Sequence, residues 1–426
     1  MDLTLVIVGL VLLALFGSPL FAVIGAFALF GFAAAGTDTS AVIIELYRIA
    51  STPNLIAIPL FTFAGFMLAE SRSPQRLVNL AKALFGWLPS GLAIVVLVTC
   101  AFFTAFTGAS GVTIVALGGL LYPILLNERY TERFSLGLVT TSGSLGLLFP
   151  PSLPIILYGL VAEVSIDKMF TAGVLPGFLL IAVLATYSVF AGKRARVPRT
   201  AFSIPALLQA LRGAIWELPL PFIIVGGIYG GFITATEAAA VTAFYVLIME
   251  VFLYRDLKLF RDVPRIMRES MILVGAILAI FGTALGLTNY FIDQQIPQKL
   301  FAFVQTHVET RVSFLIILNG FLLIVGMMMD IFSAIIVVVP LILPIAREFG
   351  VDPVHLGIIF LTNLEIGYLT PPVGLNLFLS SLRFEKPILT IVRSVLIFIG
   401  LLLLALIVIT YVPALSLGLG ELLGTK

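Results

Sequence analysis

Stretch after stretch of this chain holds about the number of apolar residues that a helix needs to cross a bilayer, about 20. Examples run over 55–69, 172–191, 218–232, 234–253, 271–290 and 391–412. A water-soluble fold has no place for them, because 60% of the 426 residues are hydrophobic and only 11% are charged. The sequence therefore predicts an all-α polytopic membrane protein, with the lipid bilayer as its solvent and roughly ten to twelve inserted elements.

The charges exclude some classes and orient the rest. A net charge of +2 is too small to imply a nucleic-acid partner. The lone Cys100 excludes intramolecular disulfides and Cys-based metal sites, and the opening Met1-Asp2-Leu3 shows no basic leader of a signal peptide. Eighteen of the 24 Lys and Arg residues fall in five clusters: Arg72/Arg76/Lys82, Arg129/Arg133, Lys193/Arg194/Arg196/Arg199/Arg212, Arg255/Lys258/Arg261/Arg265/Arg268 and Arg383/Lys386/Arg393. The positive-inside rule places these in the cytoplasm.

That assignment leaves 88–106 and 112–126 apolar with both basic flanks on one side. With Gly108 and Gly111 at the centre and legs of about 14 to 18 residues, the segment reads as a re-entrant hairpin over about 88–126. A second hairpin over about 312–346, between Arg311 and Arg347, then opens to the opposite face.

A shift of 221 residues aligns Pro123 with Pro344, Gly146 with Gly367, Pro150 with Pro371 and Pro151 with Pro372, and it lays the first hairpin on the second. Because the hairpins open to opposite faces, the repeats are inverted, an architecture that lets one central site face each side in turn. The first repeat spans 1–191, with a broken helix over about 135–163. A basic cytoplasmic connector covers 192–217. The second repeat spans 218–412, with a broken helix over about 354–382, and 413–426 is a C-terminal tail.

Unwound backbone persists at membrane depth only where it is buried or lines a cavity. Four segments qualify: the hairpin turns 107–111 and 329–333, and the breaks 143–152 and 363–372. Proline removes a donor and interrupts the helix, so each break is expected to leave free carbonyl oxygens for a hard cation such as Na⁺. Helix N-termini at the tips and after Pro151 and Pro372 offer amides to a carboxylate. Asp330, at the second tip, is either a cation ligand or the cap of the hairpin's second leg. Glu365 either lines the site or pairs elsewhere in the bundle. Glu237, three residues after Thr234, reads as half of a capping box. Ser110 and Ser144 either satisfy local carbonyls or bind the cation.

Two other classes compete. Gly108-Ala109-Ser110-Gly111 resembles the nucleophile motif of rhomboid-type membrane proteases, but such a serine needs a base, and the only histidines, His307 and His355, fall in or beside outward loops. An ion or anion channel would show rings of like polar residues along a helix face in place of two broken-helix sites.

Asn363-Leu364-Glu365-Ile366-Gly367 followed by Thr370-Pro371-Pro372-Val373-Gly374-Leu375-Asn376, together with Gly230-Gly231 leading to Thr236-Glu237-Ala238-Ala239-Ala240, resembles the large membrane (M) subunit of tripartite ATP-independent periplasmic (TRAP) transporters over essentially the full length. The resemblance implies an ion-transporter-superfamily-like elevator fold in the bacterial inner membrane and Na⁺-coupled import of a small carboxylate, such as a sialic acid or a four-carbon dicarboxylate. It implies two partners, a small membrane (Q-type) subunit and a periplasmic substrate-binding (P-type) protein. Fused members carry the small subunit's helices at their N-terminus, and this chain lacks them, so a separate partner chain is expected. Two Na⁺ sites are implied as well, each between a hairpin tip and the break of its own repeat. The first would use Ser110 with backbone oxygens near Ser144, Gly146 and Pro150; the second would use Asp330, Ser333, Gly367 and Thr370. Substrate would lie near Gly111, Ser152, Asn363 and Asn376.

Overall fold

The computed structural model describes residues 8–10, 12–13, 16–50, 52–197, 201–306, 308 and 310–422. Among these every regular element is helical. In chain order they are α1 (Leu20–Ala35), α2 (Ser40–Ala50), α3 (Ala57–Glu70), α4 (Ser73–Phe85), α5 (Gly91–Thr107), α6 (Ser110–Asn127), α7 (Glu132–Ser142), α8 (Leu153–Val161), α9 (Ile166–Ala195) and α10 (Ile204–Gly213). The second half holds α11 (Pro219–Tyr229), α12 (Ala235–Leu253), α13 (Asp262–Asp293), α14 (Ile296–Gln305), α15 (Arg311–Met328), α16 (Ile331–Glu348), α17 (Pro353–Gly367), α18 (Leu375–Phe384), α19 (Ile388–Tyr411) and α20 (Ala414–Leu422).

Seven of these helices are long and apolar enough to cross a membrane, and α7 with α8 forms a further span bent by 44°. Their outer faces carry large apolar side chains in the open, such as Ile316, Ile317 and Ile324 on α15, a surface suited to lipid and not to water. Part of the chain before α1 lies outside the described residues.

Helix boundaries recur at the 221-residue spacing: α6 begins at 110 and α16 at 331, α6 ends at 127 and α16 at 348, and α7 and α17 begin at 132 and 353. Packing recurs in the same way. α3 packs on α12 as α1 packs on α13, and α6 packs on α18 as α16 packs on α8. α5 leans on the tight turn Leu145–Leu148 of the first break, and α15 leans on α17. The hairpin turns are short because Gly108 takes a left-handed conformation (φ 63°), which costs glycine little.

Two boundaries differ from expectation. α9 continues through Ala195, four residues past 191, because Lys193 and Arg194 lie in its last turn, where cations complement the helix dipole. The connector then holds an amphipathic helix, α10, capped by Ser203. Beyond 413, the described residues 414–422 form the docked helix α20. It is held by Ser416, whose Oγ lies 3.1 Å from Nδ1 of the buried His355, while Nε2 of the same ring lies 3.1 Å from the carbonyl of Thr410. Thr234 and Glu237 do form the capping box, with Glu237 N–H to Thr234 Oγ1 at 3.3 Å and Thr234 N–H to Glu237 Oε2 at 2.8 Å.

At the basic end, Arg76 of α4 ties distant segments together. Its guanidinium donates to Glu217 after the connector helix, to Glu250 near the end of α12 at 3.1 Å, and to Asp256 beyond it at 2.6 Å. Tyr254 lies under the guanidinium, 3.7 Å from ring centroid to Cζ. Burial works against the charge on Arg76, but its bonds to Asp256 and Glu217 outweigh this and hold its pKa above the usual arginine value.

Candidate functional site

Four helices begin where the chain turns or breaks: α6, α8, α16 and α18. Their first amides have no acceptor within the helix. Of the four, only α16 has a side-chain cap, from Asp330; the residues before the other three, Ala109, Ser152 and Gly374, make no cap hydrogen bond. Besides the α6–α18 and α8–α16 contacts, the first tip meets α8, since a Cβ added at Gly108 would stand 2.5 Å from Leu153 Cγ.

The predicted substrate residues are only partly brought together. Ser110 Oγ donates to Asn376 Oδ1 at 2.8 Å across the two repeats, and the buried Asn376 keeps an unpartnered Nδ2. Gly111 stands beside Leu379 of α18. Ser152, fully buried, has an unpartnered hydroxyl. Asn363 turns instead into the bundle, donating to Asn319 Oδ1 at 2.6 Å and to the carbonyl of Ile359 at 2.8 Å, and leaves its own Oδ1 without a partner.

At the second tip, Oδ1 of the exposed Asp330 accepts from the amides of Phe332 and Ser333, both at 3.0 Å, and Ser333 Oγ donates to Oδ2. The capping half of the two readings of Asp330 is therefore seen directly. Tyr368, in the second break, accepts from Ile331 N–H at 2.6 Å through its hydroxyl and so pins the tip to the break. Gly367 lies against the backbone of Gly326 in the first leg, where a Cβ would collide. Thr370 Oγ1 donates to the Ile366 carbonyl at 2.9 Å.

In the first repeat, Thr104 joins the two legs and the break: its hydroxyl donates to the Gly143 carbonyl at 2.8 Å and lies 2.7 Å from Thr113 Oγ1. Gly146 is pressed on the backbone of Ala101 and Ala105, and Ser144 Oγ donates back to the Thr141 carbonyl at 3.3 Å. Pro150 lines an apolar cavity between α5, α9 and α11.

The breaks correct one expectation, because many of their carbonyls are already in use. Leu147 N–H bonds Ser144 O, Phe149 N–H bonds Gly146 O, Thr370 N–H bonds Gly367 O, and Gly374 N–H reaches across to Met327 O. Proline removes only its own donor, and the neighbouring amides close tight turns around it. Both double prolines contain a cis peptide bond.

Glu365 is fully buried with neither carboxyl oxygen hydrogen-bonded. Ser144 is its counterpart at the 221-residue spacing. The alternative that it pairs elsewhere in the bundle is thus not realised. An unpaired acid at this depth is costly. Tyr368, Thr104 and Asn319 were not singled out from the sequence; Tyr368 alone carried a signal, its place inside the broken segment.

Ser110 faces Asn376 and His355 is engaged with Ser416 and Thr410, so the serine–base pair that a protease needs is not formed; His307 lies outside the described residues. What the centre offers instead is uncapped helix amides, side-chain amides and hydroxyls for an anion, and carboxyl, hydroxyl and carbonyl oxygens for a hard cation.

The profile of the family described as "Tripartite ATP-independent periplasmic transporter, DctM component" matches residues 4–415. The C4-dicarboxylate TRAP transporter large permease protein DctM of Pseudomonas aeruginosa is 37% identical over 89% of this chain and 89% of its own. The isethionate TRAP transporter permease protein DctMQ of Oleidesulfovibrio alaskensis is 35% identical over 96% of this chain and 69% of its own. The crystal structure of the Alcanivorax borkumensis YdaH transporter, described as having an unusual topology, aligns with a TM-score of 0.64 at 13% identity, over 89% of this chain and 88% of that one; at that identity the likeness concerns the fold alone. The chain therefore belongs to the DctM family, as a large permease component of a tripartite ATP-independent periplasmic transporter, a multi-pass inner-membrane protein and not an enzyme.

Proposed function

We propose that this permease imports a small organic anion by Na⁺-coupled, elevator-type alternating access, receiving it from a periplasmic binding protein and working beside a separate small membrane subunit. The observation that carries this reading is the meeting of uncapped helix N-termini from both repeats around the Ser110–Asn376 contact, with Asn376 Nδ2 and Ser152 Oγ unpartnered and buried. Amide donors and positive dipole ends at membrane depth suit a carboxylate or sulfonate. The dicarboxylate and isethionate relatives support the same class of cargo.

Na⁺ is carried as a second cargo. Asp330 and Ser333 at the second tip supply hard oxygens beside Gly367 and Thr370, a donor set that fits the ion. In the first repeat, Ser110 retains its lone pairs for a cation while its proton goes to Asn376, and the carbonyls of Ser144 and Gly146, each already accepting one amide, offer their second lone pairs, with the backbone oxygen of Pro150 as a further donor. Cation binding orders the tips first and so shapes the amide-lined pocket that the anion enters. The mobile unit then consists of the two hairpins and the two broken helices in inverted repeats, sliding against the remaining spans.

The test is uptake by the reconstituted three-component system with external Na⁺ replaced by K⁺. Uptake is expected to collapse; unchanged uptake removes the coupling from the scheme.

A further inference from the structure

Between α11 and the packed surface of α5, α9 and the first break lies a cavity of about 400 Å³ whose lining includes Phe102, Phe106, Pro150, Phe178, Val225 and Tyr229. A second cavity of about 120 Å³ shares Phe102 and Pro221 with it and continues along α4 as far as Glu217. Together they form an apolar cleft along one face of α11 that starts beside the Arg76 cluster. Two features set it apart from ordinary packing defects. Its mouth is continuous with the lipid-facing surface, since Phe178 is 57% exposed and the neighbouring Phe222 on α11 is 75% exposed. α11 also widens into a π-type turn over Phe222–Gly226, a distortion frequent at functional sites.

An apolar cavity of this size is not a stable home for water, which needs two to four polar partners. The cleft supplies few: Thr99 Oγ1 and Tyr229 Oη are hydroxyls along it without partners. At bilayer depth the apolar material at hand is the hydrocarbon chain of a lipid. Protein close packing leaves few voids larger than water, so an unfilled cleft here forfeits dispersion contacts along three helices.

We propose that a bilayer phospholipid inserts one acyl chain into this cleft and is held between α11 on one side and α5, α9 and Pro150 on the other. The site is distinct from the central anion and cation sites, and it places the chain against the outer side of the first break. The lipid thereby takes the place of protein atoms in supporting Phe149-Pro150, and its chain lies where α11 meets the helices that carry the first hairpin.

The experiment is photo-crosslinking of the full-length chain in phosphatidylethanolamine–phosphatidylglycerol vesicles. Benzoyl-phenylalanine replaces Phe102, an aromatic residue that lines both cavities, and in a control it replaces Phe103, which is buried and lines neither. After irradiation, mass spectrometry is expected to find an intact phospholipid joined at position 102 and none at 103. A second variant, Ile224→Phe, narrows the cleft from the scaffold side and is expected to remove the lipid adduct at 102. If position 102 crosslinks to α11 with no lipid adduct, the cleft is closed and the proposal is overturned; equal lipid labelling at 102 and 103 overturns it as well. Should the Phe102 replacement not fold, the unsubstituted chain is washed through lipid-free detergent. One phospholipid retained by the parent and lost from Ile224→Phe supports the site, and equal retention refutes it. None of these readouts depends on Na⁺ coupling or uptake.

Discussion

Replacing Arg76 by Gln is the sharpest perturbation of the folded state that the structure suggests. The Arg76 side chain is 14% exposed, while Glu217 and Glu250 are 1% and 0% exposed. Removing the guanidinium strands both carboxylates, since the remaining local donors are Ser73 Oγ, 2.9 Å from an oxygen of each, and Tyr254 Oη, 2.6 Å from Glu217 Oε2. A hydroxyl carries one proton, so Ser73 satisfies only one of the two carboxylates at a time. Breaking a buried pair by deleting one partner costs about 3–5 kcal/mol. Loss of the contact with the Tyr254 ring adds about 0.5–1 kcal/mol. The assay is unfolding of the purified chain in detergent, followed by size-exclusion chromatography after heating, for Arg76→Gln and for the triple variant Arg76→Gln/Glu217→Gln/Glu250→Gln. The single variant is expected to lose most of its resistance to heat and the triple variant to regain much of it, because the latter leaves only Asp256 of the three carboxylates charged, and Asp256 still has Arg72, with the Arg72 N–H at 3.1 Å. A loss below about 1 kcal/mol, the range of exposed ion pairs, or no recovery in the triple variant, would refute the reasoning.

At the second tip, Asp330→Asn keeps a good N-cap but removes the charge, so thermal stability should hold within about 0.5 kcal/mol while the Na⁺ concentration for half-maximal uptake rises; equal losses in both would reduce Asp330 to a cap. Gly146→Ala drives a methyl into the backbone of Ala101 and Ala105 and Gly367→Ala drives one into Gly326, so each should cost about 1–3 kcal/mol, measurable as earlier aggregation on heating. Asn376→Leu removes the acceptor of Ser110 and the buried donor beside it; the KM of uptake should rise while expression and melting change little, and an unchanged KM would place the anion elsewhere. Thr234→Ala breaks the capping box of α12 and should cost about 1 kcal/mol, with uptake per folded molecule unaltered.

The hairpins were legible to within a few residues because Gly108 and the apolar runs flanking Asp330 are local signals, and because basic residues on both flanks put the two ends of 88–126 on one side. The breaks were legible from Pro150-Pro151 and Pro371-Pro372 for the same reason. The state of the carbonyls at those breaks was not, since whether Gly146 O is free depends on whether Phe149 N–H turns back to it, a matter of two dihedral angles that composition leaves open. Asp330 illustrates the middle ground: its residue type and place at a helix start are enough to predict a cap, whereas its exposure follows from how the tip sits on Tyr368. That Asn363 donates to Asn319 was not legible, because that bond depends on how α17 packs against α15.

Residue order alone therefore determined the membrane solvent, the two hairpins, the two interrupted helices and their 221-residue spacing, since a bilayer forces every backbone group to find a partner along the chain and makes each exception visible as Gly or Pro. Only the tertiary structure decided which helix starts meet, that Ser110 faces Asn376, that Glu365 stays unpaired, and that Arg76 gathers carboxylates about 140 to 180 positions away. Those contacts join segments whose separation along the chain leaves no periodic trace, and the energy that selects them comes from close packing and charge pairing in three dimensions.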